Sequence, residues 1–110
     1  MMRFKLMLMM VAGLALPLSV AAAPQEYKIV IKNHRFEPAE VVVPAGQKVK
    51  LLVENQDTTP EEFESHAMNR EKVIPGGGKA SIFIGPLKPG SYEFVGEYHE
   101  DTARGKVIAK

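Results

Sequence analysis

Gly90-Ser91-Tyr92-Glu93-Phe94-Val95-Gly96-Glu97-Tyr98-His99 is the stretch that decides how the chain is read. Tyr92 and Phe94 alternate with polar neighbours, the period-two pattern of a half-buried strand. That strand runs into a histidine, and the residue three places before the histidine is glycine. The chain contains no cysteine. Any metal site on it must therefore be assembled from imidazole, carboxylate, thioether or water.

Working outward, the same alternation recurs. Tyr27, Ile29 and Ile31 alternate with Lys28 and Lys32; Val41 and Val43 follow; Val49, Leu51 and Val53 alternate with Lys48, Lys50 and Glu54. Ile82 and Ile84, then Val107 and Ala109, continue it. Turn signals at Pro44-Ala45-Gly46, Asn55-Gln56-Asp57, Pro75-Gly76-Gly77-Gly78 and Lys88-Pro89-Gly90 separate the runs. No segment carries a 3.6-residue period, so the reading is an all-β sandwich or barrel. One long stretch, Asn55 to Gly78, reads as irregular. A loop of that length in a small domain is functional or carries short elements of its own, and this one holds Glu61, Glu62, Glu64, His66 and Met68.

The spacing Phe36-x-Pro38-x-x-Val41-x-Val43-x-x-Gly46-x-x-Val49-x-Leu51-x-Val53-x-Asn55 resembles the N-terminal half of the cupredoxin signature. Leu87-x-Pro89-Gly90-x-Tyr92-x-Phe94 and Gly105-x-Val107 resemble its C-terminal half. The resemblance implies a Greek-key β-sandwich of the cupredoxin type, with glycine 96 where the blue-copper thiolate belongs. Glu62-Phe63-Glu64-Ser65, Arg70-Glu71-Lys72-Val73-Ile74-Pro75-Gly76 and Gly96-Glu97-Tyr98-His99 together resemble the EfeO-type cupredoxin-like domain. Small secreted proteins of that type accompany bacterial iron permeases. The implied task is to bind or oxidise ferrous iron at the periplasmic face.

His99 stands where the superfamily has its C-terminal histidine ligand. Replacing it is expected to abolish metal binding yet leave the apo-protein folded, because a loop residue contributes little to a core. Glu62, Glu64 and His66 lie at i, i+2, i+4, one face of a strand, with Phe63 turned to the core. The resemblance also implies a ligand from the loop after Asn55. Glu64, His66 and His99 would supply one carboxylate and two imidazoles, a facial triad suited to iron and acceptable to non-blue copper. Met68 is the alternative soft ligand, forming a copper set with His66 and His99. Against this, charges on an edge strand often serve only to discourage aggregation, and a lone Met is commonly a gap filler. Glu97, Glu100 and Asp101 surround His99 and read either as a solvated acidic turn or as groups that attract a cation. Gly96 leaves space that shrinks the site or admits water. His34, in the turn between the first two strands, reads as ordinary surface.

Residues 1–23 resemble a secretory signal peptide. Arg3 and Lys5 precede an apolar run from Leu6 to Leu18, and Ala21-Ala22-Ala23 offers cleavage near Ala23. The run is short for a membrane span. The expected mature domain, residues 24–110, is exported to the periplasm without membrane insertion. Without Arg3 and Lys5 the formal charge changes from +1 to −1 (14 − 2 − 13), which argues against nucleic acid as a partner. There is no nucleophile elbow and no phosphate-binding glycine loop, so a hydrolase is not expected. The leading expectation is a periplasmic protein binding mononuclear iron, with or without copper, for ferrous iron uptake alongside a permease and other periplasmic uptake proteins. A copper carrier and a metal-free interaction module are the alternatives.

Overall fold

The computed structural model describes residues 23–110. The signal peptide read over residues 1–23 lies, except for Ala23, outside the described residues.

Nine strands form two sheets among these residues. One sheet, in the order β2-β1-β4-β7, holds β1 (Gln25–Lys32), β2 (Arg35–Glu37), β4 (Val49–Asn55) and β7 (Lys79–Ile84). The other, in the order β3-β9-β8-β5-β6, holds β3 (Glu40–Val43), β9 (Arg104–Ala109), β8 (Gly90–Gly96), β5 (Glu61–Ser65) and β6 (Arg70–Ile74). The expected all-β sandwich is what forms. β1 lies parallel to β4 and β3 parallel to β9, while the remaining pairs are antiparallel. The alternating residues face inward: Ile29 and Ile31, Val41 and Val43, Val49, Leu51 and Val53, Ile82 and Ile84 and Val107 are all buried.

Three aromatic rings knit the core together. Phe94 lies edge-on to Phe36 and stacks on Phe63, with ring centroids 4.9 Å apart in both pairs. Gly105 makes this possible, since a Cβ there would come within 2.5 Å of the Phe94 ring.

The stretch that reads as irregular, Asn55 to Gly78, contains the β5–β6 hairpin. β5 has one apolar residue and β6 two, too few to display a period. Buried Asn55 organises the approach to β5. Its Nδ2 donates to the carbonyls of Thr59 and Ile74, and its Oδ1 accepts the Asp57 N–H. At the other end of β5, buried Ser65 donates its hydroxyl to the Glu93 carbonyl and accepts the Met68 N–H. That anchored turn folds Met68 back into the hydrophobic core. Met68, read as the thioether ligand of the copper alternative, is packed in the core at 7% exposure.

Candidate metal centre

β5 sorts its acidic residues by alternation. Glu61, Phe63 and Ser65 point inward and Glu62 and Glu64 outward, so that a glutamate 1% exposed enters the end of the sandwich. Glu61 is fully engaged there. Its Oε1 accepts the backbone N–H of Glu62 and of Tyr98, each at 3.0 Å, and its Oε2 lies 2.6 Å from His99 Nδ1.

The glycine preceding Glu97 explains how this carboxylate fits. A Cβ on Gly96 would lie 2.7 Å from Glu61 Cδ and 2.6 Å from the Ala103 Cβ. The space that the sequence leaves at Gly96 is therefore filled by Glu61, and it neither shrinks the site nor admits water. His99 ends the 3-10 turn Glu97–His99 that follows β8, and its carbonyl accepts the Ala103 N–H at 2.8 Å.

His34 reaches the same place from the other sheet. Lys32 pairs with Arg35, so Asn33 and His34 form a two-residue hairpin loop, with φ of 53° and 57°. Two positive φ values are what a type I′ turn requires, and its twist matches that of the flanking strands. Asp57 clamps this turn by accepting the Asn33 N–H at 2.8 Å and the His34 N–H at 2.9 Å. The His34 bond in particular holds the Asp57 carboxyl below its usual range, outweighing burial. Asp57 Oδ2 also stands 3.4 Å from His34 Nδ1. Thr102 donates its hydroxyl to the His34 carbonyl at 2.6 Å, tying the hairpin to the segment after His99. The His34 and His99 rings end up stacked, with centroids 3.6 Å apart and planes 15° from parallel.

One nitrogen of each histidine and one oxygen of Glu61 lie within 4.8 Å of one another. Two imidazoles and one carboxylate are the donor set expected from the sequence, but only His99 of the expected triad contributes. His34, read as surface, and Glu61, read only as part of a loop, replace His66 and Glu64. The donor set fits iron or non-blue copper. It cannot make a blue-copper centre, for want of a thiolate. Stacked rings hold their lone pairs in nearly parallel planes, so joint ligation requires one ring to turn.

The outward residues form a second group. Carboxylate oxygens of Glu62, Glu64 and Glu97 lie within 4.8 Å of one another. Glu71 is paired directly with Glu64 across the hairpin. His66 sits in the turn beyond β5 with its side chain 93% exposed, and its Nε2 is 3.1 Å from Glu64 Oε1. It joins neither group of candidate ligands. Glu100 and Asp101 lie in an exposed turn.

Crowding by Glu71, together with desolvation and Glu97, pushes the Glu62 carboxyl up to about 7. Glu64 is raised as well, chiefly by Glu97. A carboxyl whose folded value exceeds its unfolded one binds its proton more tightly in the native state. The resulting stabilisation is fully present below the ordinary value of 4.5 and is lost as pH rises through about 7. In chelator, the melting temperature is expected to fall between mildly acid and mildly alkaline pH. Glu62→Gln should flatten that slope, and parallel profiles for the two proteins would contradict the assignment.

The sandwich and the histidine–carboxylate centre at its end define a class of cupredoxin-like proteins without the thiolate. The chain belongs to the cupredoxin-like domain family, whose model matches residues 5–109. It is 48% identical over 83 residues to an uncharacterised protein of Rickettsia prowazekii, a match covering 76% of this chain and 66% of that protein. The chain thus spans just under two thirds of that relative. Among solved structures, auracyanin A, a blue copper protein of Chloroflexus aurantiacus, matches with a TM-score of 0.69 at 15% identity, over 80% of this chain and 100% of that one. Amicyanin of Paracoccus versutus matches with a TM-score of 0.62 at 19% identity, over 84% of this chain and 86% of that one. At these identities the likeness is one of fold. Among the described residues no helix is long and apolar enough to cross a membrane.

Proposed function

We propose that this is an exported, EfeO-type metal-binding protein that takes up iron at His34, Glu61 and His99 and serves ferrous iron uptake at the periplasmic face, in company with a membrane permease. The observation that carries the reading is the gathering of two imidazoles and one buried carboxylate at the end of a sandwich without a thiolate. Imidazole nitrogen suits Fe(II), and the carboxylate oxygen favours the ferric ion once formed. Oxidation would release one electron per iron, and that electron needs an acceptor outside this chain, a second metal protein or a partner of the permease.

Anaerobic calorimetric titration with Fe(II) tests the reading. The wild type is expected to bind one ion tightly, and Glu61→Gln to bind it at least on the order of 100-fold more weakly, as loss of a ligand charge dictates. Cu(II) added in its place should give a pale protein without the intense charge-transfer band near ~600 nm that a Cu–thiolate bond produces. Tight copper binding with no response to iron would favour a copper carrier. Binding of neither metal would leave an interaction module.

A further inference from the structure

The two stacked imidazoles are held very differently. The His99 ring is fixed: its Nδ1 lies 2.6 Å from Glu61 Oε2, and Glu61 is itself engaged by two backbone N–H groups. Turning that ring would break a contact with a carboxylate whose side chain is only 2% exposed. His34 has no such hold. Its side chain is 42% exposed, and the carboxylate oxygen beside its Nδ1, Asp57 Oδ2, stands 3.4 Å away, beyond the roughly 2.7–3.2 Å of a good hydrogen bond.

The backbone of His34, by contrast, is pinned at both ends. Asp57 accepts its N–H and that of Asn33, and its carbonyl accepts the Thr102 hydroxyl. Asp57 is anchored in turn, since its own N–H donates to Asn55 Oδ1 and its carbonyl accepts the Gly77 N–H at 2.9 Å. Freedom at His34 is therefore confined to its side-chain torsions. There is room to use it, because His34 borders an open cleft of about 380 Å³ lined also by Asn33, Gln56, Asp57, Thr58 and Thr59.

Ligation by both rings requires one of them to turn, and these contacts select His34. We propose, on the reading that His34, Glu61 and His99 hold the metal, that His34 is the moving ligand and Asp57 its positioning residue. The His34 ring turns out of the stack, donates a hydrogen bond from Nδ1 to Asp57 Oδ2 and leaves Nε2 as its ligand atom. A carboxylate at one ring nitrogen sets the tautomer, and so decides which nitrogen remains to bind. No proton is gained or lost, since neutral imidazole carries one N–H throughout. His99 stands ready beforehand, and His34 completes the set.

Zn(II), redox-inert and bound by the same nitrogen and oxygen donors, is the probe, read by nitrogen-15 NMR of the histidine rings. In the metal-free protein the His34 ring protons should carry the ring-current shift of a stacked partner and lose it when zinc is added. The loaded wild type is expected to show His34 protonated at Nδ1 and bound through Nε2. Asp57→Asn removes the charge and one acceptor oxygen. It should weaken zinc binding by on the order of 10–100-fold and let His34 bind through either nitrogen. Thr102→Val loosens the same hairpin without touching the ring, and should leave Nε2 as the bound nitrogen. Binding through Nδ1 in the wild type, or the same mixture of nitrogens in Thr102→Val as in Asp57→Asn, would overturn the proposal. Zinc bound at His99 with the His34 ring unmoved would overturn it alone, whereas no response at either ring would remove the centre as well.

Discussion

Replacing His99 by alanine should abolish tight metal binding and lower the stability of the metal-free protein by about 1 kcal/mol, the lower end of the cost of leaving a buried acceptor without its hydrogen-bond partner. The stability effect runs against the expectation from sequence that the apo-protein is indifferent to this residue. His99 Nδ1 is the group that meets Glu61 Oε2, and the Glu61 side chain is only 2% exposed. Alanine leaves that oxygen without a partner in a place water cannot easily reach. The cost sits at the low end because the His99 side chain is itself 29% exposed and admits some solvent. Urea denaturation in chelator, combined with Fe(II) titration, measures both effects. His99→Gln, whose amide can donate to Glu61, should recover part of the stability but none of the tight binding. A mutant as stable as wild type would show that the Glu61–His99 contact contributes little, and unchanged affinity would remove His99 from the centre.

The second large effect is expected at a residue with no side chain. Gly96→Ala places a Cβ where Glu61 Cδ and the Ala103 Cβ would be 2.7 and 2.6 Å away. Overpacking of this kind costs about 1–3 kcal/mol, and here the displaced group is a carboxylate engaged with two N–H donors and an imidazole. Metal affinity should fall together with stability, although position 96 offers no ligand atom. Glu61→Ala removes one of the two obstructions, so Gly96→Ala should cost less in that background than in the wild type, a non-additivity measurable in a double-mutant cycle. Strict additivity would mean that the two residues do not share the space.

What could be read in the sequence follows from what one-dimensional patterns encode. Strands with two or three inward aliphatic residues, such as Val49-Lys50-Leu51-Leu52-Val53, announce themselves. Glu61-Glu62-Phe63-Glu64-Ser65 does not, since its inward positions carry a carboxylate and a hydroxyl. Period two nevertheless placed Glu62 and Glu64 on one face, where they are. What the pattern did not show is which face meets His99: β5 turns Glu61 toward it, and the strand ends before His66. Nothing local marks His34 as a partner of His99, 65 residues away. Their contact depends on a two-residue turn held by Asp57 and on the Thr102 hydroxyl. The one available cue was Asn33-His34 between two strand patterns, a pair whose first residue favours the left-handed turn conformation.

The shared space between positions 61 and 96 bears on how such a site could have arisen. A cysteine at 96 and a glutamate at 61 compete for the same volume, so a lineage moving between a thiolate centre and this carboxylate centre cannot keep both ligands along the way. Introducing the glutamate first crowds the cysteine, while losing the cysteine first leaves a void and a histidine without its carboxylate. Each single step costs stability, by overpacking or by a cavity, before the second restores it. The two kinds of centre therefore occupy separate peaks on the same fold, joined by a path on which the order of substitutions matters.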